Sequence, residues 1–336
     1  MFIFFDPLYI LLSILGYVIL FVIASYIAPK LASRIAGKLS LYTSMLVLAF
    51  TILFVSSALI YFAMIFVDVY IDLQLLIIFV LSVNLLTYLI SPYMINAFYS
   101  AKHDIELQEI VDEVAKKLKM KKKFKAMSVK TPPNAFAYGN FISGKFIAVS
   151  ESLKNAVTRD ELEAIIGHEI GHHKHKDAAI TLIFGVIPSI IYYLGYAMIR
   201  SSIFDREERR KNLSIIGFLL VIASFVVQIL VLAFSRLREY YADYEGAKAT
   251  NKKAMQSALV RIHKFYYENP RALSAVRSDK FRMLFIYSLL EAIANPYISA
   301  DEIERIKNSE VSSIQEFLST HPPIPKRLRF LDSLKI

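Results

Sequence analysis

Five long uncharged stretches constrain this chain more than any other feature of its sequence. They cover residues 7–29, 39–67, 73–101, 178–199 and 212–235, and none contains Asp, Glu, Lys or Arg. About 20 such residues in a helix cross the hydrocarbon core of a bilayer. Hydrophobic residues make up 56% of the chain, above the roughly 45–50% of soluble domains. We therefore expect a membrane protein with several transmembrane helices.

The distribution of basic residues predicts how these spans are oriented. Lys30, Arg34 and Lys38 follow the first run, and the stretch 102–125 after the third run is rich in lysine. The positive-inside rule then places residues 102–177 in the cytoplasm and the protein in the cell membrane. The link 200–211 is basic as well, which conflicts with an outside position. Either the last two runs form a shallow hairpin, or they span fully, as we favour.

The segments between the runs divide the chain into four parts. Residues 1–101 form the N-terminal transmembrane helices, 102–177 a first part outside the apolar runs, 178–235 a transmembrane hairpin and 236–336 a second such part. In the first of these parts, 103–120 has the apolar spacing of an amphipathic helix that includes Ile105. Residues 134–150 are typical of a β-hairpin. We expect a mainly α membrane protein whose parts outside the apolar runs form an α+β domain.

A zinc-binding motif follows a helix start at Thr158, which with Glu161 forms a capping box. His168 and His172 lie one turn apart on one helix face and can bind one Zn²⁺ per chain. Glu169, directly after the first histidine, can act as general base on zinc-activated water. The short motif also occurs by chance in unrelated proteins. Its capped helix and apolar stripe favour the zinc site.

A third protein ligand must come from elsewhere, and with no cysteine it must be His, Asp or Glu. One class of zinc proteases has its third ligand histidine ten residues after the first. Ala178 occupies that position here, so this class is excluded. His175 would put three ligands on one helix, which fits tetrahedral geometry poorly. Glu239 follows the fifth run, where a membrane hairpin could return the chain to the metal. Spacing alone leaves this role and a solvated carboxylate equally open. Asp243, one turn on, can orient a ligand imidazole.

Four segments together resemble the M48 family of integral-membrane zinc metallopeptidases, which contains the HtpX proteases and the Ste24 CAAX prenyl proteases. They are NAFAYG at 134–139, HEIGHHKHKD at 168–177, EYYAD at 239–243 and STHPPIPKR at 319–327. The chain length is similar to that of HtpX proteins. The N-terminal part departs from them, because HtpX proteins typically have two spans before the catalytic domain and this chain has three runs.

The resemblance implies that 102–177 and 236–336 are the two parts of an α+β metalloprotease catalytic domain of the gluzincin type, and it implies a role for each matching residue. His168, His172 and Glu239 match the zinc ligands, and Glu169 matches the general base. His321 matches a histidine that stabilises the oxyanion, and Arg327 matches a supporting arginine that could pair with Asp243. Asn134, Ala135 and Phe136 begin a strand that resembles the substrate-binding edge. An exposed edge strand can bind an extended peptide through its backbone, with weak sequence specificity.

Three functions remain open on the sequence. The favoured one is an HtpX-type endopeptidase that cleaves unfolded or damaged membrane proteins. The same residues would serve CAAX processing of prenylated peptides. A non-catalytic membrane scaffold with a structural zinc would not need Glu169. The expected partners are polypeptide substrates and the lipid bilayer, and no motif supports binding of nucleic acid.

Overall fold

The computed structural model describes residues 73–203, 211–269, 302–311 and 321–336. The predicted spans at 7–29 and 39–67 lie outside this part of the chain. The chain divides into two compact units. One contains the described residues up to 83 and those between 183 and 234, and the other contains residues 84–182 and the described residues from 235 onward. All residues proposed for the site belong to the second unit.

Three of the described helices are long and apolar enough to cross a membrane, judged by length and composition. They are α1 (Leu73–Phe98), α5 (Asp177–Ile203) and α6 (Lys211–Ala249). Each contains one of the three later uncharged runs almost completely. Helix α6 continues without a break past its apolar run to Ala249. The segment that carries Glu239 and Asp243 is therefore a direct extension of an apolar helix.

A small mixed sheet lies between α1 and the rest of the second unit. Its strands are β1 (Lys102–His103), β2 (Lys125–Val129), β3 (Ala135–Asn140) and β4 (Gly144–Ser150), in the order β1-β2-β4-β3. Strands β3 and β4 pair antiparallel and confirm the predicted hairpin. Strand β2 pairs parallel to β4, which the sequence did not indicate. Strand β3 therefore lies at one edge of the sheet.

Alternation along β3 divides its side chains between two apolar clusters. Ala135 packs into the main core, while Phe136 and Tyr138 face the second cluster with Ile95 and Tyr99 near the end of α1. The sheet thus has one face on the catalytic core and the other on α1. This arrangement fixes β3 from both sides.

Helix α2 (Ile105–Lys117) is the predicted amphipathic helix, capped by Asp104, whose side chain accepts a hydrogen bond from the Leu107 N–H. Ile110, Val111, Val114 and Leu118 are buried on the apolar side that their spacing predicted, and Leu107 is buried with them. The placement of Ile105 on the apolar side was wrong, because its side chain is 74% exposed. Ile105 is the first residue of the helix, before the buried stripe begins.

The remaining helices complete the core around the predicted metal-binding helix. They are α3 (Glu151–Ala156), α4 (Arg159–Lys174), α7 (Lys252–Glu268), α8 (Glu302–Asn308) and α9 (Ile324–Ser333). The capping box at the start of α4 is confirmed, with both the Thr158 and the Glu161 hydrogen bonds formed. Residues 161–171 of α4 are all buried. A helix buried on every side must satisfy its polar groups within the protein, and His168 and Glu169 are among them.

Candidate metal centre

The two motif histidines meet at their ring nitrogens. His168 and His172 lie one turn apart on α4, and their Nε2 atoms are 3.2 Å apart. The His168 side chain is buried, while that of His172 is 20% exposed. Two imidazole nitrogens at this distance can either share a proton or bind the same cation.

Helix α6 brings Glu239 to the same point. Glu239 Oε1 lies 3.6 Å from His172 Nε2, and Glu239 Oε2 lies 3.7 Å from His168 Nε2. Two imidazole nitrogens and the Glu239 carboxylate thus meet at one position, with one carboxylate oxygen within 4 Å of each nitrogen. The structure brings together the three residues for which the sequence predicted a shared metal.

Small residues allow α4 and α6 to approach closely enough for this contact. A Cβ atom on Gly167 would lie 2.6 Å from the Ala249 Cβ, and one on Gly171 would lie 3.0 Å from the Ala242 Cα. Gly246 on α6 likewise lies against the Ala164 carbonyl. Larger side chains at these positions would push the helices apart. The pattern of small residues at helical spacing in both segments was a signal available in the sequence.

The geometry of these atoms fits a tetrahedral zinc ion. With bonds of about 2.0–2.1 Å, two ligands of a tetrahedral Zn²⁺ lie about 3.4 Å apart. The observed separations of 3.2, 3.6 and 3.7 Å fall on both sides of that value. Among the described residues, no hydrogen-bond donor reaches the buried Glu239 Oε2. A buried carboxylate oxygen without a partner is costly, and a cation would satisfy it.

A second carboxylate, that of Glu169, also lies near the histidines. One of its oxygens is within 4.8 Å of both imidazole nitrogens. The backbone N–H of Ala137 in β3 donates a hydrogen bond to it. Burial raises the pKa of Glu169, although His172 and His168 oppose this effect. Of the two carboxylates, Glu239 has a buried oxygen without a hydrogen-bond partner among the described residues, whereas Glu169 is held by β3 beside the histidines.

His168 is held from behind by a carboxylate and an arginine. Its Nδ1 lies 3.0 Å from Asp243 Oδ1. The Arg327 guanidinium, from α9, donates two hydrogen bonds to the same carboxylate, at 2.8 Å from Nε and 2.5 Å from Nη2. Asp243 and Arg327 are almost completely buried. The pairing of Asp243 with Arg327 is the contact expected from the sequence, and the histidine that Asp243 orients is His168.

His172 has a matching arrangement that the sequence analysis missed. Its Nδ1 lies 2.6 Å from Asp177 Oδ2. Arg238, the residue before Glu239, places Nη2 2.9 Å from the same oxygen and donates from Nη1 to Thr181 Oγ1 at 2.6 Å. Each ligand imidazole therefore has its own carboxylate and its own arginine. Such contacts fix the tautomer and orientation of a metal-binding histidine.

The surroundings of His172 favour its protonated form. Burial alone lowers the pKa of His172, but the hydrogen bond with Asp177 and the charges of Glu239 and Glu169 outweigh it and raise the pKa to about 9. A metal ion must displace that proton, because only neutral imidazole binds it. Metal affinity should therefore fall as the pH is lowered.

His321 approaches the site from the segment before α9. Its Nε2 lies 3.7 Å from Glu239 Oε1, and its side chain is 13% exposed. Burial lowers the pKa of His321 and Arg327 lowers it further, while Glu239 opposes them. A neutral imidazole at the edge of the site can donate one hydrogen bond from its ring N–H.

The predicted substrate-binding residues lie at the start of β3. Asn134 precedes the strand and is buried, and its backbone N–H donates to the Ser150 Oγ at 2.9 Å. The Ala135 and Phe136 side chains are buried in the two apolar clusters. The Asn134 backbone is thus bound to Ser150 through both its N–H and its carbonyl, and the other two side chains are not available to a substrate, which could pair only with backbone groups further along the edge of β3.

Comparison with known proteins identifies close relatives of the whole chain. The model of peptidase family M48 matches residues 101–335. A protein named protease HtpX homolog from Archaeoglobus fulgidus is 56% identical over 333 residues, which are 99% of this chain and 98% of that protein. A protein of the same name from Pyrobaculum calidifontis is 50% identical over 340 residues, 99% of each. These matches include the apolar regions as well as the metal centre.

One solved structure supports the fold. The crystal structure of S. mikatae Ste24p matches with a TM-score of 0.50 and 20% sequence identity, covering 88% of this chain and 67% of that chain. At this identity the match concerns the arrangement of the helices and the sheet and not the reaction.

Proposed function

We propose, on the premise that this chain belongs to peptidase family M48, that it hydrolyses peptide bonds with one zinc ion held by His168, His172 and Glu239. As an HtpX-like metalloprotease with apolar membrane helices, it needs a site for metal, water and peptide. The observation that carries the proposal is the convergence of two imidazole nitrogens and the Glu239 carboxylate, with separations of 3.2–3.7 Å. The buried Glu239 oxygen adds support.

Zinc, when bound, supplies a Lewis acid that polarises a carbonyl and lowers the pKa of water to about 7. Glu169 acts as general base, because its carboxylate is buried beside the ligands and its pKa is raised by burial. It accepts the proton of the attacking water and delivers it to the leaving amine. Such proton transfer typically contributes about 10²–10⁴-fold to the rate.

His321 stabilises the negative charge that develops on the substrate carbonyl oxygen. Its position near Glu239 puts a ring N–H at the edge of the site, and its lowered pKa keeps the ring neutral near pH 7. Removal of a single oxyanion donor costs about 10²–10³-fold in kcat elsewhere. We expect His321→Ala to fall in that range, with metal content unchanged.

The substrate is an extended polypeptide that lies along β3. In the described part of the sheet, β3 pairs with β4 alone, and Ala137 of β3 contacts Glu169. Backbone pairing at a strand edge selects unfolded segments and reads little sequence. This suits the removal of unfolded or damaged membrane proteins, with the catalytic unit in the cytoplasm, as the lysines of 102–125 indicate.

Two substitutions separate metal binding from catalysis. Glu169→Gln should retain zinc and lose about 10²–10⁴-fold in cleavage of an unfolded membrane protein. Glu239→Gln should lose both zinc and activity. Glu245→Gln is the matched control, because Glu245 is equally buried on α6 but pairs with Lys174. Zinc content by atomic emission and turnover are measured on all three, and undiminished cleavage by Glu169→Gln would refute the mechanism.

The same assay decides between substrate classes. A farnesylated C-terminal peptide is tested beside the unfolded membrane protein, since both reactions would use the same catalytic residues. Cleavage of the prenylated peptide alone would replace the quality-control role with CAAX processing. Zero turnover of either substrate by the zinc-loaded protein would favour a scaffold.

A further inference from the structure

The turn between β3 and β4 exposes two large apolar side chains. Phe141 is 76% exposed and Ile142 is 62% exposed. Isolated apolar residues on a protein surface are common. Two adjacent ones at the tip of a hairpin need an explanation when the surrounding surface is also apolar, as it is here.

Asn140 holds this tip in a fixed conformation. Its Oδ1 accepts hydrogen bonds from the backbone N–H of Ile142 at 2.9 Å and of Ser143 at 2.8 Å. The Asn140 N–H in turn donates to the Ser143 Oγ at 3.2 Å. These three backbone donors at the turn are thus satisfied within the protein, so they add no unsatisfied N–H group to the cost of bringing the turn next to lipid.

The same side chain attaches the tip to α1. Asn140 Nδ2 donates to the carbonyl oxygens of Tyr88 at 3.0 Å and Leu89 at 3.1 Å. Pro92 lies inside α1 and has no N–H, so the Tyr88 carbonyl lacks its usual partner four residues on. The hairpin supplies a donor at the point where the proline removes one. The tip is therefore docked at residues 88–89 of the helix.

Exposed apolar side chains surround this docking point along α1. Leu85 and Leu86 lie on its N-terminal side, and Tyr93, Met94 and Phe98 on its C-terminal side. All five are more than 40% exposed. The apolar stretch of α1 extends to Phe98, about 14 Å beyond Leu89 at 1.5 Å per residue. The docking point thus lies within the apolar length of the helix and not beyond its end.

We propose that the β3–β4 tip inserts into the lipid bilayer, where Phe141 and Ile142 contact acyl chains beside α1. The argument rests on the continuity of the tip with the exposed apolar surface of a membrane helix. Ala137, which contacts Glu169, is four residues from Phe141, or about 13 Å along the strand. Insertion therefore holds the edge strand beside Glu169 at the membrane surface. This inference goes beyond the proposed reaction and does not depend on zinc or on Glu169.

The absence of tryptophan in the chain provides a direct test. Phe141→Trp introduces a single tryptophan into the full-length protein, which is reconstituted into phosphatidylcholine vesicles. Brominated acyl chains quench the indole from within the lipid, and iodide quenches it from water. Tyr93→Trp, on the exposed face of α1, is the control for lipid contact, and Ile336→Trp, at the exposed C-terminus, is the control for water contact.

We expect Phe141→Trp to match Tyr93→Trp, with blue-shifted emission, strong quenching by brominated lipid and weak quenching by iodide. Ile142→Trp repeats the measurement if the first variant misfolds. Quenching by iodide as strong as in Ile336→Trp would overturn the proposal. Protection from both quenchers would also overturn it, because protein rather than lipid would then cover the tip.

Discussion

Replacing Asp243 with Asn tests how the site positions its first histidine ligand. The side chain is fully buried and accepts two hydrogen bonds from Arg327, and its Oδ1 lies 3.0 Å from the Nδ1 of His168. Asn keeps the shape of the side chain but removes its charge. The change therefore leaves the buried Arg327 without its counter-ion and His168 without a charged acceptor.

The two losses should appear in two separate measurements. Breaking a buried ion pair by removal of one partner costs about 3–5 kcal/mol. For domains of 150–250 residues, about 2–4 °C of Tm correspond to 1 kcal/mol, so we expect the Tm of Asp243→Asn to fall by about 6–20 °C. Loss of a carboxylate behind a metal-binding histidine typically weakens metal affinity by about 10–100-fold. Circular dichroism in detergent measures the Tm, and competition with a zinc chelator measures the affinity.

A double substitution separates orientation of the ligand from stability of the fold. Asp243→Leu with Arg327→Met replaces the buried pair by apolar side chains, which is often neutral for stability. The Tm should recover, whereas zinc affinity should remain low because His168 still lacks its acceptor. Recovery of both quantities would refute the role of Asp243 in positioning His168. Asp332→Asn is the control, because this carboxylate is half-exposed and pairs with Lys307. It should change the free energy of unfolding by less than about 1 kcal/mol.

Three further predictions concern the helix crossing, the core and the second histidine. Gly167→Ala should destabilise the protein by about 1–3 kcal/mol in thermal unfolding and weaken zinc binding, because α6 must move away from α4. Gly185→Ala is the control and should be neutral in the same assay, because a Cβ at that position meets nothing within 4 Å. Burial lowers the pKa of His263 to about 4 in the folded protein. In the unfolded chain the same histidine has an ordinary pKa of about 6.5, so as the pH falls below about 6.5 it binds a proton in the unfolded chain and stays neutral in the folded one. Stability should therefore fall by about 2 kcal/mol between pH 6.5 and 5, a loss that His263→Phe removes and His103→Phe, at an exposed histidine, does not. Asp177→Asn should lower zinc affinity by about 10–100-fold in a chelator titration, and unchanged affinity would contradict its contact with a ligand imidazole.

The sequence was most informative where the signal is local. The capping box at Thr158, the spacing of His168 and His172, and the β3–β4 hairpin each depend on residues within a few positions of one another, and the structure contains all of them. Glu239 needed the additional argument that an apolar hairpin returns the chain. Its assignment as a ligand remains a proposal, supported by its position.

The features that the sequence analysis missed depend on contacts between distant segments or on a change of chain direction. Asp177 lies five residues after His172, but α4 ends at Lys174 and Lys176 has a positive φ of 57°, which turns Asp177 back toward the imidazole. The parallel pairing of β2 with β4 joins strands that are not adjacent in sequence. Pro92 in α1 and Asn140 in the turn are each unremarkable alone. They are linked through the Tyr88 carbonyl, which loses its usual N–H partner at Pro92 and accepts a hydrogen bond from the Asn140 side chain.

The charges around the metal centre carry an excess of two negative units within the described residues. Four buried carboxylates face two buried guanidinium groups, and the imidazoles are neutral when they bind a metal. These groups are Asp177, Asp243, Glu169 and Glu239, with Arg238 and Arg327. An uncompensated buried charge is far more costly than a paired one, so a divalent cation is the ligand that brings this cluster to neutrality.

The metal-free protein can reach the same neutrality only by taking up protons, and the pKa shifts follow that pattern. The pKa of His172 is raised to about 9 and that of Glu169 is raised by burial. Zinc should therefore release about one proton per ion near pH 7, from His172, which calorimetry in buffers of different ionisation enthalpy can measure. A site that held zinc only through neutral histidines would release none. The same balance accounts for the carboxylate and the arginine behind each of the two histidines. Each arginine offsets the charge of the carboxylate beside it, so Glu239 and Glu169 would be left to match the two charges of the proposed zinc ion.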